Sequence, residues 1–434
     1  MKTAAWISIP LAATAFLLLM GCPVTKASTS LDCTGCHNGE TPTGQALLGA
    51  QAQYANSGHY NGPRTLNISS SPGTITAFLG YEFDGSDAMY CNGSGCSRCH
   101  TDQGFVSYVT TGTTINVSAA SQPGCFTCHR PHETGDFSLR TKAAPTLIDG
   151  TVFNGGDGNL CVTCHQARTN AATFLTGTSI QWSSSSGPHH GPQGDFLMGA
   201  DYWAYTLTPV TYQGVSPHQT FAGDSCKTCH WYGPSSGNLS GSLELGGHGT
   251  YLTGDVHGSA KDIVNLCKTC HVAGNTMGAL AWGAGTTFDA SNHTFGVDVD
   301  GDSFTYDELK EIDGLKKTLL GYFGTGTRFW QNAGLTTPGT AGWGPIVLAP
   351  GTGTPADFAP GASWEWHKDW EFNPINKPYL NLQQSRSFWN FKYFMEDKSR
   401  GAHNPKFAAQ ILYDAVKNLN DPPLSAGLTL GTRP

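Results

Sequence analysis

Apolar residues gather in a few places along the chain, and each gathering predicts a different element. Near the start an apolar stretch runs from Trp6 to Met20 behind Lys2, the pattern of an export signal and too short to span a bilayer comfortably. Towards the other end Leu309, Ile312, Leu315, Leu319 and Phe323 recur at helical spacing, which predicts an amphipathic helix over 307–323. Phe407, Ile411, Leu412, Ala415 and Leu419 share a face behind Asn404 and Pro405, a good helix start, and the aromatic run from Leu382 to Met395 reads as a further helix. Stretches rich in Gly, Ser and Thr, such as Asn67 to Thr76, Trp182 to Pro188 and Gly324 to Ala362, read as turns and loops.

Composition sharpens this picture. With 55 Gly and 24 Pro among 434 residues and only 13% charged, the chain does not read as a cytosolic α/β enzyme. A net charge of −8 and the lack of a Lys/Arg run argue against nucleic acid as a partner. Leu19-Met20-Gly21-Cys22 has the form of a bacterial lipobox, which predicts cleavage before Cys22 and a membrane anchor through its lipid. An ordinary signal peptide cut nearby is the alternative. No later segment has about 18 uninterrupted apolar residues, so the mature chain is expected to be anchored to a membrane and not threaded through it. Pro23, where an aspartate would favour inner-membrane retention, leans towards an outer-membrane or cell-surface address.

The cysteines carry the chemistry. Twelve of the 14 fall into one word, Cys-x-x-Cys-His, at Cys33/Cys36/His37, Cys96/Cys99/His100, Cys125/Cys128/His129, Cys161/Cys164/His165, Cys226/Cys229/His230 and Cys267/Cys270/His271. Chance alone would supply about 0.02 copies in a chain of this composition. Two thiols three residues apart can each form a thioether to one porphyrin edge, and the next residue then delivers imidazole to the iron. Structural zinc draws a second ligand pair from farther away, and disulfides do not demand a histidine at a fixed offset six times. The word therefore predicts six covalently bound haem c groups. Successive motifs begin 63, 29, 36, 65 and 41 residues apart, so the chain is not a solenoid.

Second axial ligands separate a carrier from a catalyst. Ten histidines lie outside the motifs, enough to cap every iron on its other face, whereas the mature methionines Met89, Met198, Met277 and Met395 are too few. A haem with imidazole on both faces has no open position for substrate and is suited to outer-sphere electron transfer at low potential. The candidates are His59, His132, His190, His218, His248 and His403, most of them beside Gly or Pro, where backbone can approach a flat macrocycle. Of the adjacent pair, His190 is preferred to His189. His132 lies too near His129 to reach the far side of the same haem and is assigned to a neighbouring one. His257, His293 and His367 are expected to serve as surface or hydrogen-bonding residues.

The six motifs, together with His189-His-Gly-Pro-Gln-Gly-Asp195, Gly246-Gly-His248 and His403-Asn-Pro405 before a terminal helix, resemble exported multihaem c-type cytochromes of metal-respiring bacteria. The resemblance spans most of the chain from Asp32 to Leu419 and implies an outer-surface hexahaem protein that passes electrons to a partner cytochrome or an extracellular acceptor such as a metal oxide. Some relatives form haem-bearing filaments, which leaves room for a homopolymer. The His-Asn-Pro ending is also similar to that of multihaem nitrite reductases, but their Cys-x-x-Cys-Lys variant is missing here. An oxyanion reductase with one open haem stays as the rival.

The expected architecture is a loop-rich multihaem fold with short helices and little sheet. Residues 1–22 form the signal, 23–280 the six-haem region and 281–434 a haem-free helical cap, with His403 inserted into the last haems. Trp364, Trp366, Trp370 and Trp389 are expected to pack in that cap. The haem chain itself is expected to be the core, since the polypeptide has little apolar surface with which to offset its conformational entropy. Asp298, Asp300 and Asp302 resemble an EF-hand calcium loop, although Ser303 stands where glycine is expected and Glu308 arrives one residue early. Calcium and a solvated acidic turn both fit. The odd cysteine, Cys91, has no assigned partner.

Overall fold

In the computed structural model the described residues are 42–61, 97–115, 117, 121, 123–130, 138–182, 186–189, 191–206, 211–221, 223–232, 245–256, 259–262, 266–267, 270–271, 293–323, 379–420 and 428–434. The signal, Cys22, Cys91, the first motif, Cys96, His132, His190, His257, His367, the loop 324–362 and Trp364, Trp366 and Trp370 lie outside them.

Among the described residues helix dominates and sheet is slight. The longer helices are α1 (Pro42–Ala55), α2 (Asp102–Thr111), α3 (Glu308–Phe323), α4 (Leu382–Asp397) and α5 (Pro405–Leu419). Two antiparallel pairs join β1 (Ser179–Gln181) to β4 (Tyr379–Asn381) and β2 (Thr253–Val256) to β3 (Ser259–Asp262). The remaining helical segments in the motif region are single turns, the longest of them Gln193–Met198.

Helices α3, α4 and α5 form a conventional hydrophobic core. Ile312, Leu315 and Leu319 from α3, Phe388, Trp389, Phe391 and Phe394 from α4, and Phe407, Ile411, Leu412 and Leu419 from α5 are all essentially inaccessible to solvent. Helix α4 starts from a capping box in which the Asn381 side chain accepts the Gln384 N–H at 2.8 Å and Gln384 accepts the Asn381 N–H at 3.2 Å. Helix α5 starts on Pro405, whose missing N–H is harmless in the first turn. Three buried polar side chains on α4 find partners far away in sequence. Asn390 exchanges hydrogen bonds with the Trp203 backbone at 2.8 and 2.9 Å, Tyr393 donates to Ala200 O at 2.7 Å, and Trp389 donates to Asp201 O at 3.2 Å.

The segments around Trp182 and Phe196, which the sequence places among the motifs, are part of this same cluster. The C-terminal helices also have an aromatic core of their own, which a chain held together by cofactor alone would not need. Among the described residues no helix is long and apolar enough to cross a membrane.

Candidate cofactor sites

Each described motif folds as one helical turn. The N–H of His129 donates to Cys125 O at 2.9 Å, that of His165 to Cys161 O at 2.9 Å and that of His271 to Cys267 O at 2.8 Å. One turn places positions i, i+3 and i+4 on a single face, so both thiols and the imidazole serve the same side.

Every described motif histidine then faces a histidine from elsewhere in the chain. Ring centroids are 6.1 Å apart for His165 and His59, 6.3 Å for His100 and His189, 6.2 Å for His129 and His248, 6.3 Å for His230 and His403, and 6.1 Å for His271 and His218. A ligating imidazole nitrogen lies about 2 Å from its metal, and its ring centre about one ångström farther, so two rings on opposite faces of one metal should sit about 6 Å apart. All five separations meet that value. The residues present fit a haem iron ligated on both faces.

Hydrogen bonding gives the same orientation. Nδ1 of His230 bonds Thr250 O at 2.8 Å, Nδ1 of His218 bonds Ala402 O at 2.8 Å, Nδ1 of His165 pairs with Gln193 Oε1 at 3.0 Å, and Nδ1 of His403 pairs with Asp397 Oδ1 at 2.6 Å. With Nδ1 held, Nε2 is the nitrogen left to bind metal. Burial pushes His59 and His230 down to about 4, and also lowers His165, His218 and His248, which favours the neutral, metal-binding form. Burial lowers His403 too, but the adjacent Asp397 carboxylate outweighs it and the net direction is up.

The motif turns also touch one another. Arg98 donates to Thr163 O at 2.6 Å, and Cys164 Sγ lies 3.8 Å from Arg98 O, so the second motif abuts the fourth. The Cys161 and Cys226 side chains are neighbours, bringing the fourth motif to the fifth, while Cys229 lies within electrostatic reach of Cys267 and Cys270 of the sixth. Cys128 of the third motif is within electrostatic reach of Cys161 and Cys164. Glycine permits one of these approaches, between the segments that carry the fourth and fifth motifs: a Cβ on Gly158 would come within 2.8 Å of Asp224 O.

The structure places the candidate residues unevenly. His59, His218, His248 and His403 each stand opposite a motif histidine. Opposite His100 stands His189, where the sequence reading preferred His190. His189 takes a left-handed φ of 67° between Gly187 and Gly191. His293, expected to be a bystander, packs 5.4 Å from the His271 ring and 3.9 Å from Glu308, and nothing in its local sequence marks it. His37, His132 and His190 lie outside the described residues, as do Cys33, Cys36 and Cys96.

The acidic loop is also rearranged. Asp298 and Asp300 are joined by Glu311 from α3, with one carboxylate oxygen from each within 4.8 Å of the others, while Asp302 is exposed. Glu311 accepts the Val299 N–H at 2.8 Å and the Tyr306 N–H at 2.6 Å, tying the loop to the helix. Burial pushes Asp300 up to about 6. Glu308 turns instead towards His293.

What fold and geometry define together is a helix-rich chain with little sheet, folded around paired histidines. No family model matches this chain, and no curated protein matches it. Among solved structures it is similar to the undecaheme cytochrome from the S-layer of Carboxydothermus ferrireducens, at 14% identity and a TM-score of 0.35 over 84% of this chain. The match covers 43% of that protein, so the chain spans less than half its length.

Proposed function

We propose that this chain is a c-type cytochrome carrying six covalent haems, whose work is electron transfer without substrate chemistry. The observation that carries the reading is the set of five motif histidines, each facing an imidazole from a remote segment at the separation a shared metal requires. Haem iron held between two imidazoles exchanges single electrons at low potential and has no open position for a reactant.

The protein's own residues do the rest. The motif cysteines fix the cofactor, the motif histidines with His59, His189, His218, His248 and His403 hold both faces of the metal, and contacting motif turns set successive attachment edges side by side. The net charge of −8, to which haem propionates would add, favours a basic redox partner and docking that weakens with salt. The leader and Cys22 support an exported lipoprotein at the outer membrane or cell surface, and an extracellular acceptor such as a metal oxide fits that address. Intact-mass measurement of the exported protein tests the count: a mass increase of six haems is expected, and protein without added tetrapyrrole would overturn the reading.

A further inference from the structure

The histidine pairs differ in what stands behind them. Behind His165, His218 and His230 the Nδ1 partner is a neutral oxygen: the Gln193 side-chain amide, Ala402 O and Thr250 O. Behind His403 it is a carboxylate, Asp397 Oδ1, at 2.6 Å. The Asp397 side chain is fully buried, at the left-handed end of α4, and its other oxygen accepts hydrogen bonds from the Ser399 hydroxyl and the Ser399 N–H. Ser399 Oγ in turn accepts the His403 N–H at 3.1 Å, so the ligand's backbone and ring are both fixed from this one corner.

We infer that Asp397 is a positioning residue that makes His403 the most electron-donating of these ligands and thereby holds the haem of the Cys226–His230 motif at the lowest potential among those whose ligand partners are given above. The inference rests on the reading of His230 and His403 as the axial pair of one haem. A carboxylate bonded to the far nitrogen of a ligating imidazole fixes its tautomer and orientation and raises its donor strength, and second-shell hydrogen bonding of this kind is a direct lever on iron potential. A buried anion favours the more positively charged, oxidised iron for the same reason. Amide and carbonyl oxygens orient their imidazoles without adding a charge.

The test is a spectroelectrochemical titration of the intact holoprotein against D397N, which keeps an oxygen acceptor and removes the charge. One haem's share of the absorbance change should move from the low end of the titration to higher potential, with haem content and low-spin EPR unchanged. S399A provides the opposing variant: loss of the hydroxyl that shares the Asp397 charge should move the same component to lower potential. If both variants retain their haems and their titrations superimpose on that of the wild type, the inference fails while the cytochrome reading stands. If D397N loses haem, S399A alone decides, and an unshifted curve overturns the inference. Wild-type protein without haem would instead be a failure of the underlying reading.

Discussion

The C-terminal helices and the motif region solve the same folding problem with different materials. In α3, α4 and α5 the interior is made of Phe, Trp, Ile and Leu side chains that pack on one another, and every buried polar group named on α4 has a protein partner. Around the motifs most described helices other than α1 and α2 are short turns, and the purely apolar clusters among the described residues are small: one gathers Leu147, Phe153, Val162, Leu197 and Ala200, another only Leu245 and Leu266. What converges there is imidazole and thiol. The C-terminal helices are ordered by ordinary hydrophobic burial, whereas on the proposed reading the motif region is closed by ligands on a shared metal.

The largest effect should come from breaking the cofactor side at its most connected point. The fourth motif touches the second and the fifth and lies beside the third. A C161A/C164A double variant should therefore lose more than one haem and much of the order of the motif region, seen as a disproportionate fall in haem per protein. Loss of one haem alone would show that the sites fold independently. The matching break on the other side is W389A. Trp389 is fully buried and bonds Asp201 O, and its truncation should destabilise the protein by about 3–5 kcal/mol in thermal unfolding while haem content stays at the wild-type value.

A smaller and more local effect distinguishes the adjacent histidines. H189A should turn one low-spin haem high-spin, whereas H190A should leave the spectrum as it was; the reverse outcome would return the ligand to His190. The smallest effect concerns pH. Burial, with Asp195 and Asp149 nearby, pushes Asp201 up from 3.8 to about 8. The folded protein thus keeps a proton there that the unfolded chain releases, so this group's contribution makes stability fall as pH rises from about 4 to about 8, with a slope of at most about 1.4 kcal/mol per pH unit. D201N preserves the acceptor for the Ala171 N–H and suits the left-handed φ of 49°, and should flatten that slope. An unchanged slope would place the proton elsewhere.

What could be read from the chain follows from what is local. The attachment word is legible because its chemistry fits within one helical turn, and α3, α4 and α5 because their apolar periods run over several. Ligand pairing was not legible in this way: His59 precedes the second motif yet faces the fourth, and His403 reaches back to the fifth from the far end of the chain. The left-handed backbone of His189 has no local signal, and Glu311 was not legible because the acidic loop recruits its third carboxylate from the helix and not from its own spacing. Trp182 follows the strand pairing between Ser179–Gln181 and Tyr379–Asn381 and Phe196 packs on Tyr393 and Phe407, long-range contacts that no local pattern announces.

Low-temperature EPR of the fully oxidised protein reads directly whether the proposed haems are closed on both faces: low-spin ferric signals that integrate to all six are expected, and a high-spin signal accounting for even one of them would contradict the proposal and point to a site that binds substrate.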